Sequence, residues 1–340
     1  MLKAGNAALI LIAGCVLIAL LHYGSAVFAP VVFAFFIIML VWPIQRSLSL
    51  ITSRYVALAI TFLLVVFLLL GFGWLIAWTM GQVGSRILID AVRYQMLYDQ
   101  LRTWLEGHGI AASMLWSENF SVSWTLRTLQ SIGSRLNNTF SFWIVALVYV
   151  LLGLAETEEF GARIRQLKNQ AAANAFLRAS RSASTKIRYY MLLRTLMSIA
   201  TGSLVWLLTR LMGLPFAETW GFAAFILNFI PFLGPLVATL FITAFAFTHF
   251  ASWQLVLAVF IGLNIVQSVI GSVIEPRLTG KTISLSPFAT LFSVFAWGAL
   301  WGIFGAFIGV PITIVALTFC AHYSATGWLA EIFGFPREPL

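Results

Sequence analysis

The chain has 340 residues, of which 61% are hydrophobic and only 9% are charged, and its formal net charge is +9. An average soluble domain carries about 25% charged residues, so this composition excludes an ordinary water-soluble globular protein. Several runs without Asp, Glu, Lys or Arg reach the roughly 20 residues that a helix needs to cross a bilayer. The sequence therefore predicts an all-α, polytopic integral membrane protein with one transmembrane domain over residues 1–340.

Six segments predict full crossings of the bilayer. In chain order they are residues 7–21, 27–42, 56–80, 140–155, 190–211 and 252–274. The stretch that follows Lys3 could be taken for a cleaved secretory signal peptide. Because the apolar pattern resumes at once over residues 31–41, we expect the first segment to be retained as a span.

Residues 81–139, between the third and fourth spans, are too polar to lie in lipid. Apolar residues recur there at steps of three and four, the spacing of a single helical stripe. The stripe consists of Val83, Ile87, Ala91, Tyr94, Tyr98, Leu101 and Leu105. Gly107, His108 and Gly109 then predict the end of that helix. We expect an extracytoplasmic insertion of two amphipathic helices.

A basic segment follows the fourth span, and it sets the predicted orientation. Residues 163–194 contain eight basic and no acidic residues: Arg163, Arg165, Lys168, Arg178, Arg181, Lys186, Arg188 and Arg194. Lys and Arg near span ends mark the cytoplasmic side, and in a membrane protein they indicate orientation before nucleic-acid binding, which we do not expect. We predict a cytoplasmic loop or helix over 156–189, cytoplasmic termini, and contact between the basic side chains and anionic lipid headgroups.

Two long apolar blocks, residues 216–250 and 287–322, are each interrupted near the middle. The first contains Asn228-Phe229-Ile230-Pro231-Phe232-Leu233-Gly234-Pro235, which cannot continue a helix. The second is interrupted between Trp297 and Gly305 by small residues. Each arm is about 15 residues, or about 22 Å, and falls short of the roughly 30 Å hydrocarbon core. The sequence favours two re-entrant hairpins of opposite sense; the alternative is one continuous crossing per block, giving eight spans.

The paired breaks predict a path for a solute near the middle of the membrane. Unwound backbone survives in a bilayer only when protein buries it or when it lines a watery cavity. A span plus a hairpin, occurring twice in opposite senses, is typical of inverted-repeat secondary transporters. Close helix packing through Gly and Pro is the alternative. The predicted path residues are Asn228, Pro231, Gly234, Pro235, Asn264, Gln267, Glu275, Pro276, Gly302 and Gly305.

Nothing in the sequence predicts an enzyme. The four histidines do not form an HExxH motif, no GxSxG surrounds a serine, and no GxxxxGK[ST] phosphate-binding loop is present. We therefore expect no catalytic residues, no metal site and no cofactor. ATP-driven pumping by this chain alone is unsupported.

Several motifs in the C-terminal half occur in the order of a known family. They include the segment from Asn228 to Pro235, then Gln267, then Glu275-Pro276-Arg277-Leu278-Thr279-Gly280-Lys281, and then Trp301-Gly302-Ile303-Phe304-Gly305. With them the chain resembles the autoinducer-2 exporter family of bacterial permease-like transporters. Many members carry an acidic residue and an asparagine soon after the glutamine, where this chain has Ile270, Gly271 and Ser272.

The resemblance implies a homo-oligomeric transporter of the bacterial plasma membrane. It implies export of a small signal molecule in some members and exchange of sodium or lithium for protons in others. We predict a secondary transporter or exporter of a small solute, with an Na⁺ or Li⁺/H⁺ antiporter as the alternative and a non-transporting scaffold as a weaker one. Antiport would depend on a carboxylate, for which Glu218 and Glu275 are the candidates.

Overall fold

The computed structural model describes residues 2–89, 96, 103, 106–107, 122–250, 252–279, 285–323 and 326–335. Within these ranges the chain is helical, without a β-strand. In chain order the helices are α1 (Leu2–Tyr23), α2 (Ser25–Ser49), α3 (Arg54–Ile89), α4 (Val122–Arg165), α5 (Gln170–Leu211), α6 (Ala217–Leu227), α7 (Leu233–His249), α8 (Trp253–Ser268), α9 (Glu275–Thr279), α10 (Pro287–His322) and α11 (Gly327–Ile332). A π-helical turn, Val269–Ile274, joins α8 to α9.

Within the described ranges, six helical segments are long and apolar enough to cross a membrane. They are Ser25–Ser49, Arg54–Ser85, Ser141–Arg165, Gln170–Leu211, Trp253–Leu278 and Pro287–His322. The first five correspond to the predicted spans two to six, the sixth is the second broken block, and α1 contains the first predicted span. The predicted all-α, polytopic membrane fold is confirmed.

The helices beside the polar insertion are longer than the predicted spans. Helix α3 continues to Ile89, and α4 begins at Val122, so both ends of the 81–139 segment are helical continuations of spans. Most of the amphipathic stripe predicted between Val83 and Leu105 lies outside the described residues. At the other end, α4 runs to Arg165, and α5 begins at Gln170 after a short turn. The basic segment is therefore mostly helix.

The chain forms two compact units. A terminal unit consists of Met1–Leu68, Phe142–Thr195 and Pro276–Leu340, and a central unit consists of Leu69–Ser141 and Leu196–Glu275. Each unit contains one of the broken blocks. In the central unit, α5, α6, α7 and α8 share a hydrophobic core. Its buried residues are Val205, Leu214, Trp220, Ala224, Ala238, Ile242, Phe245, Ala246, Val259 and Leu263.

The first broken block is a helical hairpin formed by α6 and α7 in the central unit. The two helices pack together, and the rings of Trp220 and Phe245 lie 5.0 Å apart. Phe232 has a positive φ of 61° and a ψ of −53°, and the Leu233 amide donates to the Pro231 carbonyl at 2.6 Å, which is a γ-turn. With 11 residues, α6 is about 16 Å long and cannot cross the hydrocarbon core.

The second broken block is also a hairpin, formed within α10 in the terminal unit. Its helix is interrupted at Trp301 and at Gly302, where φ is 64° and ψ is −144°. After the break the two arms lie against each other. A Cβ on Gly309 would sit 2.8 Å from the Ser293 carbonyl oxygen, and Trp297 Nε1 donates to Thr313 Oγ1 at 3.3 Å. The alternative of one continuous crossing per block is therefore wrong.

One glycine closes each hairpin by direct contact with the preceding arm. A Cβ on Gly234 would collide with the Leu227 carbonyl oxygen, and a Cβ on Gly305 would collide with the Trp297 carbonyl oxygen. Both atoms are backbone, so the contact cannot be relieved by a rotamer change. The absence of a side chain at these two positions lets the arms meet.

We predict that Gly305→Ala destabilises the protein by about 1–3 kcal/mol, because the added methyl group must push two backbone segments apart. Gly298→Ala is the matched control in the same hairpin, since its Cβ would meet Ala306 Cβ at an ordinary 3.5 Å. Thermal unfolding of the detergent-solubilised protein, followed by size-exclusion chromatography, measures both. Equal unfolding temperatures for the two variants would contradict the proposed backbone contact.

Candidate functional site

Asn228 ties the break of the first hairpin to the neighbouring span. Its side chain is only 4% exposed, and its Nδ2 donates to the fully buried Ser198 Oγ of α5 at 3.1 Å. Its backbone amide also donates to the Ala224 carbonyl at 2.9 Å, so this residue ends α6. The side-chain Oδ1 accepts no hydrogen bond from the part of the chain that the structure describes. Asn228 thus carries an available acceptor at a buried helix break.

A glycine contact brings α6 against α5 beside this hydrogen bond. A Cβ on Gly202 would lie 2.8 Å from the Gly221 carbonyl oxygen, and a Cβ on Gly221 would lie 2.9 Å from the Gly202 carbonyl oxygen. The two helix backbones therefore touch, as small residues allow in membrane proteins. This contact sets the position at which the first hairpin packs along α5, and therefore also the position of Asn228.

Three backbone N–H groups at the start of α7 donate to carbonyls of the same chain. Leu233 donates to the Pro231 carbonyl, Gly234 to the Ile230 carbonyl at 3.0 Å, and Leu236 to the Phe232 carbonyl at 3.3 Å. Pro235 has no N–H group. At this helix start, which would normally attract anions, the N–H groups of Leu233 and Gly234 are therefore occupied, whereas α6 points the negative end of its dipole at the break.

The amides predicted on α8 are placed differently. Asn264 is exposed, and its Nδ2 donates to the Phe260 carbonyl of its own helix at 2.8 Å. Gln267 is half-buried on the same helix face, one turn further along the chain. Both residues belong to the central unit, as does Asn228. The structure shows no bond between them and Asn228 within its described residues.

Glu275 follows the π-helical turn and begins α9, and Pro276 occupies the next position. The helix continues through this proline to Thr279 instead of ending there. Glu275 is the last residue of the central unit, and Pro276 is the first of the adjoining terminal-unit segment. The half-buried carboxylate therefore lies where α8 has already lost its regular hydrogen-bond spacing.

Glu218, the other candidate carboxylate, is engaged in an ion pair at the start of α6. Its Oε1 lies 3.2 Å from Arg210 Nη1, and both side chains are exposed. The Arg210 guanidinium also lies over the Trp206 ring, 5.7 Å from its centre. Exposed pairs of this kind contribute little to stability because water screens both charges. The arrangement is typical of a membrane interface.

The tip of the second hairpin is surrounded by aromatic rings instead of amides. Phe304 stacks on Phe142 with ring centres 4.3 Å apart, and Trp143 and Phe33 pack edge-on in the same cluster. Trp301 Nε1 donates to the Leu21 carbonyl at the end of α1 at 2.9 Å. Gly305 is buried at this tip of the terminal unit, whereas Gly302 is exposed and a Cβ added to it would meet no atom within 4 Å. A glycine contact closes both hairpins, but the break of the first holds a buried amide and the tip of the second is lined by aromatic rings.

Sequence reasoning missed the polar face of α5. Ser198, Thr201 and Thr209 are fully buried and recur at steps that place them on one face of the helix. Within the described residues, Ser198 alone of these three bonds to a side chain outside α5. Thr201 Oγ1 has no partner in the described part of the chain. Within the described residues, no group of three His, Cys, Asp or Glu could hold a metal ion.

Comparisons with known proteins identify similar sequences over much of the chain. A family model described as AI-2E family transporter matches residues 7–325. A candidate transport protein of Borreliella burgdorferi is 28% identical over 329 residues, which cover 94% of this chain and 89% of that protein. The AI-2 transport protein TqsA of Escherichia coli is 30% identical over 189 residues, 55% of this chain and 54% of TqsA. The candidate transport protein YhhT of Escherichia coli is 34% identical over 155 residues, 45% of this chain and 43% of YhhT.

We predict that Ser198→Ala lowers the free energy of unfolding by about 1–3 kcal/mol, because it leaves the buried Asn228 amide without its partner. Thr201→Val is the matched control, since it removes a buried hydroxyl that has no partner among the described residues and keeps the side-chain shape. Chemical unfolding in detergent micelles compares the two. If Thr201→Val were as destabilising as Ser198→Ala, the hydrogen bond would not explain the loss.

Proposed function

The chain belongs to the AI-2E transporter family, and from that membership we propose that it is a secondary transporter of a small solute. Family membership makes it a multi-pass membrane transport protein. The absence of a GxxxxGK[ST] motif from the sequence supports transport driven by a gradient. We further propose a bacterial plasma-membrane location, with both termini and residues 156–189 in the cytoplasm, from the distribution of Lys and Arg.

We propose that the solute binds at the break of the first hairpin. The observation that carries this assignment is the buried Asn228, which is held by Ser198 through its Nδ2 and keeps its Oδ1 available. At a broken helix inside a transporter, backbone and amide groups can bind a solute while the surrounding protein keeps those groups away from lipid. Pro231, Gly234 and Pro235 shape the turn beside it.

The chemistry of this break favours a solute that donates hydrogen bonds. The site offers an amide oxygen and the carboxyl end of α6, and the N–H groups of Leu233, Gly234 and Leu236 at the start of α7 are occupied. TqsA is named as a transport protein for AI-2, so AI-2 is the first solute that we would test. The same acceptor atoms would also suit Na⁺ or Li⁺, which favours antiport through Glu275 as the second candidate function.

Other predicted residues have supporting roles in this proposal. Gln267 and Glu275 lie further along the same unit and would contact the solute or the coupling ion after it leaves the break. Gly302 and Gly305 would let the second hairpin keep its reversed shape. Assembly into a homo-oligomer and contact with membrane lipids also belong to the proposal.

We predict that Asn228→Leu reduces AI-2 uptake into proteoliposomes at least about tenfold, because the solute loses its buried acceptor. Asn264→Leu, the same substitution at an amide that bonds its own helix, should keep most of the uptake. Radiolabelled AI-2 and rapid filtration give the rates. Each variant is first shown to be folded and inserted.

The outcomes separate the alternatives. An equal loss of AI-2 uptake in Asn228→Leu and Asn264→Leu would contradict solute binding at the break of the first hairpin. No uptake of AI-2 by the unaltered protein, together with Na⁺- or Li⁺-dependent proton movement that Glu275→Gln abolishes, would favour antiport. The absence of both AI-2 uptake and cation-dependent proton movement would favour the non-transporting scaffold.

A further inference from the structure

The π-helical turn after α8 departs from the α-helical hydrogen-bond pattern. Over Val269–Ile274 the helix is π-helical, and the Glu275 backbone amide donates to the Ile270 carbonyl, five positions back. In an α-helix the same amide would bond the carbonyl four positions back, which belongs to Gly271. The π-helical turn therefore takes the usual donor away from the Gly271 carbonyl.

Pro276 removes the other helical donor for this carbonyl. In a π-helix the Gly271 carbonyl would accept from residue 276, five positions further along the chain. That residue is a proline, which has no backbone N–H group. In the part of the chain that the structure describes, no side chain donates to this carbonyl. The Gly271 carbonyl oxygen is therefore an available acceptor.

This carbonyl lies inside a candidate membrane span, where an available acceptor is costly. The span is Trp253–Leu278, and Gly271 lies seven residues, or about 10 Å, before its end. Gly271 is exposed, and a Cβ added to it would meet no atom within 4 Å, so open space adjoins this residue. Lipid tails cannot bond a carbonyl oxygen, so water or an ion must pair with it.

Glu275 lies on the same helix face as this carbonyl. Residues four positions apart are neighbours on a helix surface, and Glu275 follows Gly271 by four. Helical carbonyls point toward the C-terminus, whereas side chains tilt toward the N-terminus, so the geometry directs the Gly271 carbonyl and the Glu275 carboxylate toward each other. Arg277 is only two positions beyond Glu275 and therefore belongs to a different face. Both oxygen-bearing residues belong to the central unit.

A carbonyl oxygen beside one carboxylate suits a hard, monovalent cation. Hard cations bind oxygen ligands, and carbonyls of broken helices coordinate Na⁺ in transporters. One carboxylate balances a single positive charge, whereas a divalent ion would leave excess charge at membrane depth. A carboxylate has about four acceptor positions, so Glu275 can bind an ion while it keeps other partners. The negative end of the α8 dipole adds to the attraction.

We propose that the Gly271 carbonyl oxygen and the Glu275 carboxylate bind one Na⁺ or Li⁺ ion, with water completing its coordination. Gln267 lies four residues before Gly271 on the same face and is half-buried, so its amide gives the ion a polar approach. As a coupling site the assignment rests on the gradient-driven transport proposed above. Binding of the ion itself is measured without transport, so the two proposals are tested separately.

The test is binding of radioactive Na⁺ to the full-length protein in nanodiscs, at constant ionic strength with N-methyl-D-glucamine chloride. We expect saturable binding for which Li⁺ competes, and at least about tenfold weaker binding in Glu275→Gln, which loses the balancing charge. Pro276→Ala should weaken binding by a similar factor. The restored N–H group gives the Gly271 carbonyl a donor, either directly or by letting the Glu275 amide return to it.

Two matched controls make the same chemical changes elsewhere. Pro30→Ala adds an N–H group inside α2, and Glu156→Gln neutralises an exposed carboxylate of α4. Both should bind Na⁺ as the unaltered protein does. Absence of saturable binding, or undiminished binding in Glu275→Gln and Pro276→Ala, would overturn the ion site. AI-2 uptake without Na⁺ binding would overturn the ion site alone, whereas Na⁺ binding without AI-2 uptake would support it and would count against AI-2 as the solute.

Protection of a cysteine tests the location of the ion directly. Gly271→Cys keeps the carbonyl, and its side chain enters open space, in a protein whose Cys15 and Cys320 have been replaced by Ser. Na⁺ should slow the reaction of this cysteine with a small charged thiol reagent at least about threefold. Gln254→Cys, at an exposed position near the start of α8, should react at the same rate with and without Na⁺. An unchanged rate at Gly271→Cys would contradict the proposed site.

Discussion

The cost of leaving backbone polar groups unpaired in lipid governs this structure. Each hairpin must break a helix within the apolar part of the chain, where free N–H and C=O groups cost several kcal/mol. The first hairpin pairs backbone groups at its break through a γ-turn and through bonds from the start of α7 to the last residues before it, and the Asn228 side chain bonds Ser198 beside the break. The second closes its break with a glycine contact and an aromatic cluster. Of the two described tips, the first contains an amide side chain and the second, between Trp297 and Gly305, contains none.

The sequence was sufficient to predict the spans and both hairpins, because these features follow from apolar length and from the positions of Pro and Gly. It could not give the lengths of α4 and α5. The extension of α4 over residues 156–165 is rich in Glu and Arg and that of α5 over residues 170–189 in Ala, Ser and Arg, so both form helix without an apolar run and the sequence predicts only a loop or helix there. The π-helical turn before Glu275 was also missed, since Val269–Ile274 differs in no evident way from the apolar helix before it.

The candidate site was predictable only in part. Asn228 is conspicuous as an amide beside two prolines in an apolar block. Ser198 is not, because a serine in an apolar helix usually bonds its own backbone, and its contact with a residue 30 positions away depends on the fold. Asn264 is the converse case. Like Asn228 it is an amide within an apolar run, yet it is exposed and its side chain bonds the Phe260 carbonyl. Chemical type and depth in an apolar run did not distinguish the two amides.

We propose that each broken block enters and leaves the membrane on one side, the first from outside the cell and the second from the cytoplasm. Single cysteines at Leu211 and Ser252 flank the first hairpin, and one at Phe288 begins the second, in a protein whose Cys15 and Cys320 have been replaced by Ser. A membrane-impermeant maleimide applied to intact cells should label the first two positions and should label Phe288→Cys only after permeabilisation. Labelling of Leu211→Cys and Ser252→Cys from opposite sides of the membrane would contradict the account.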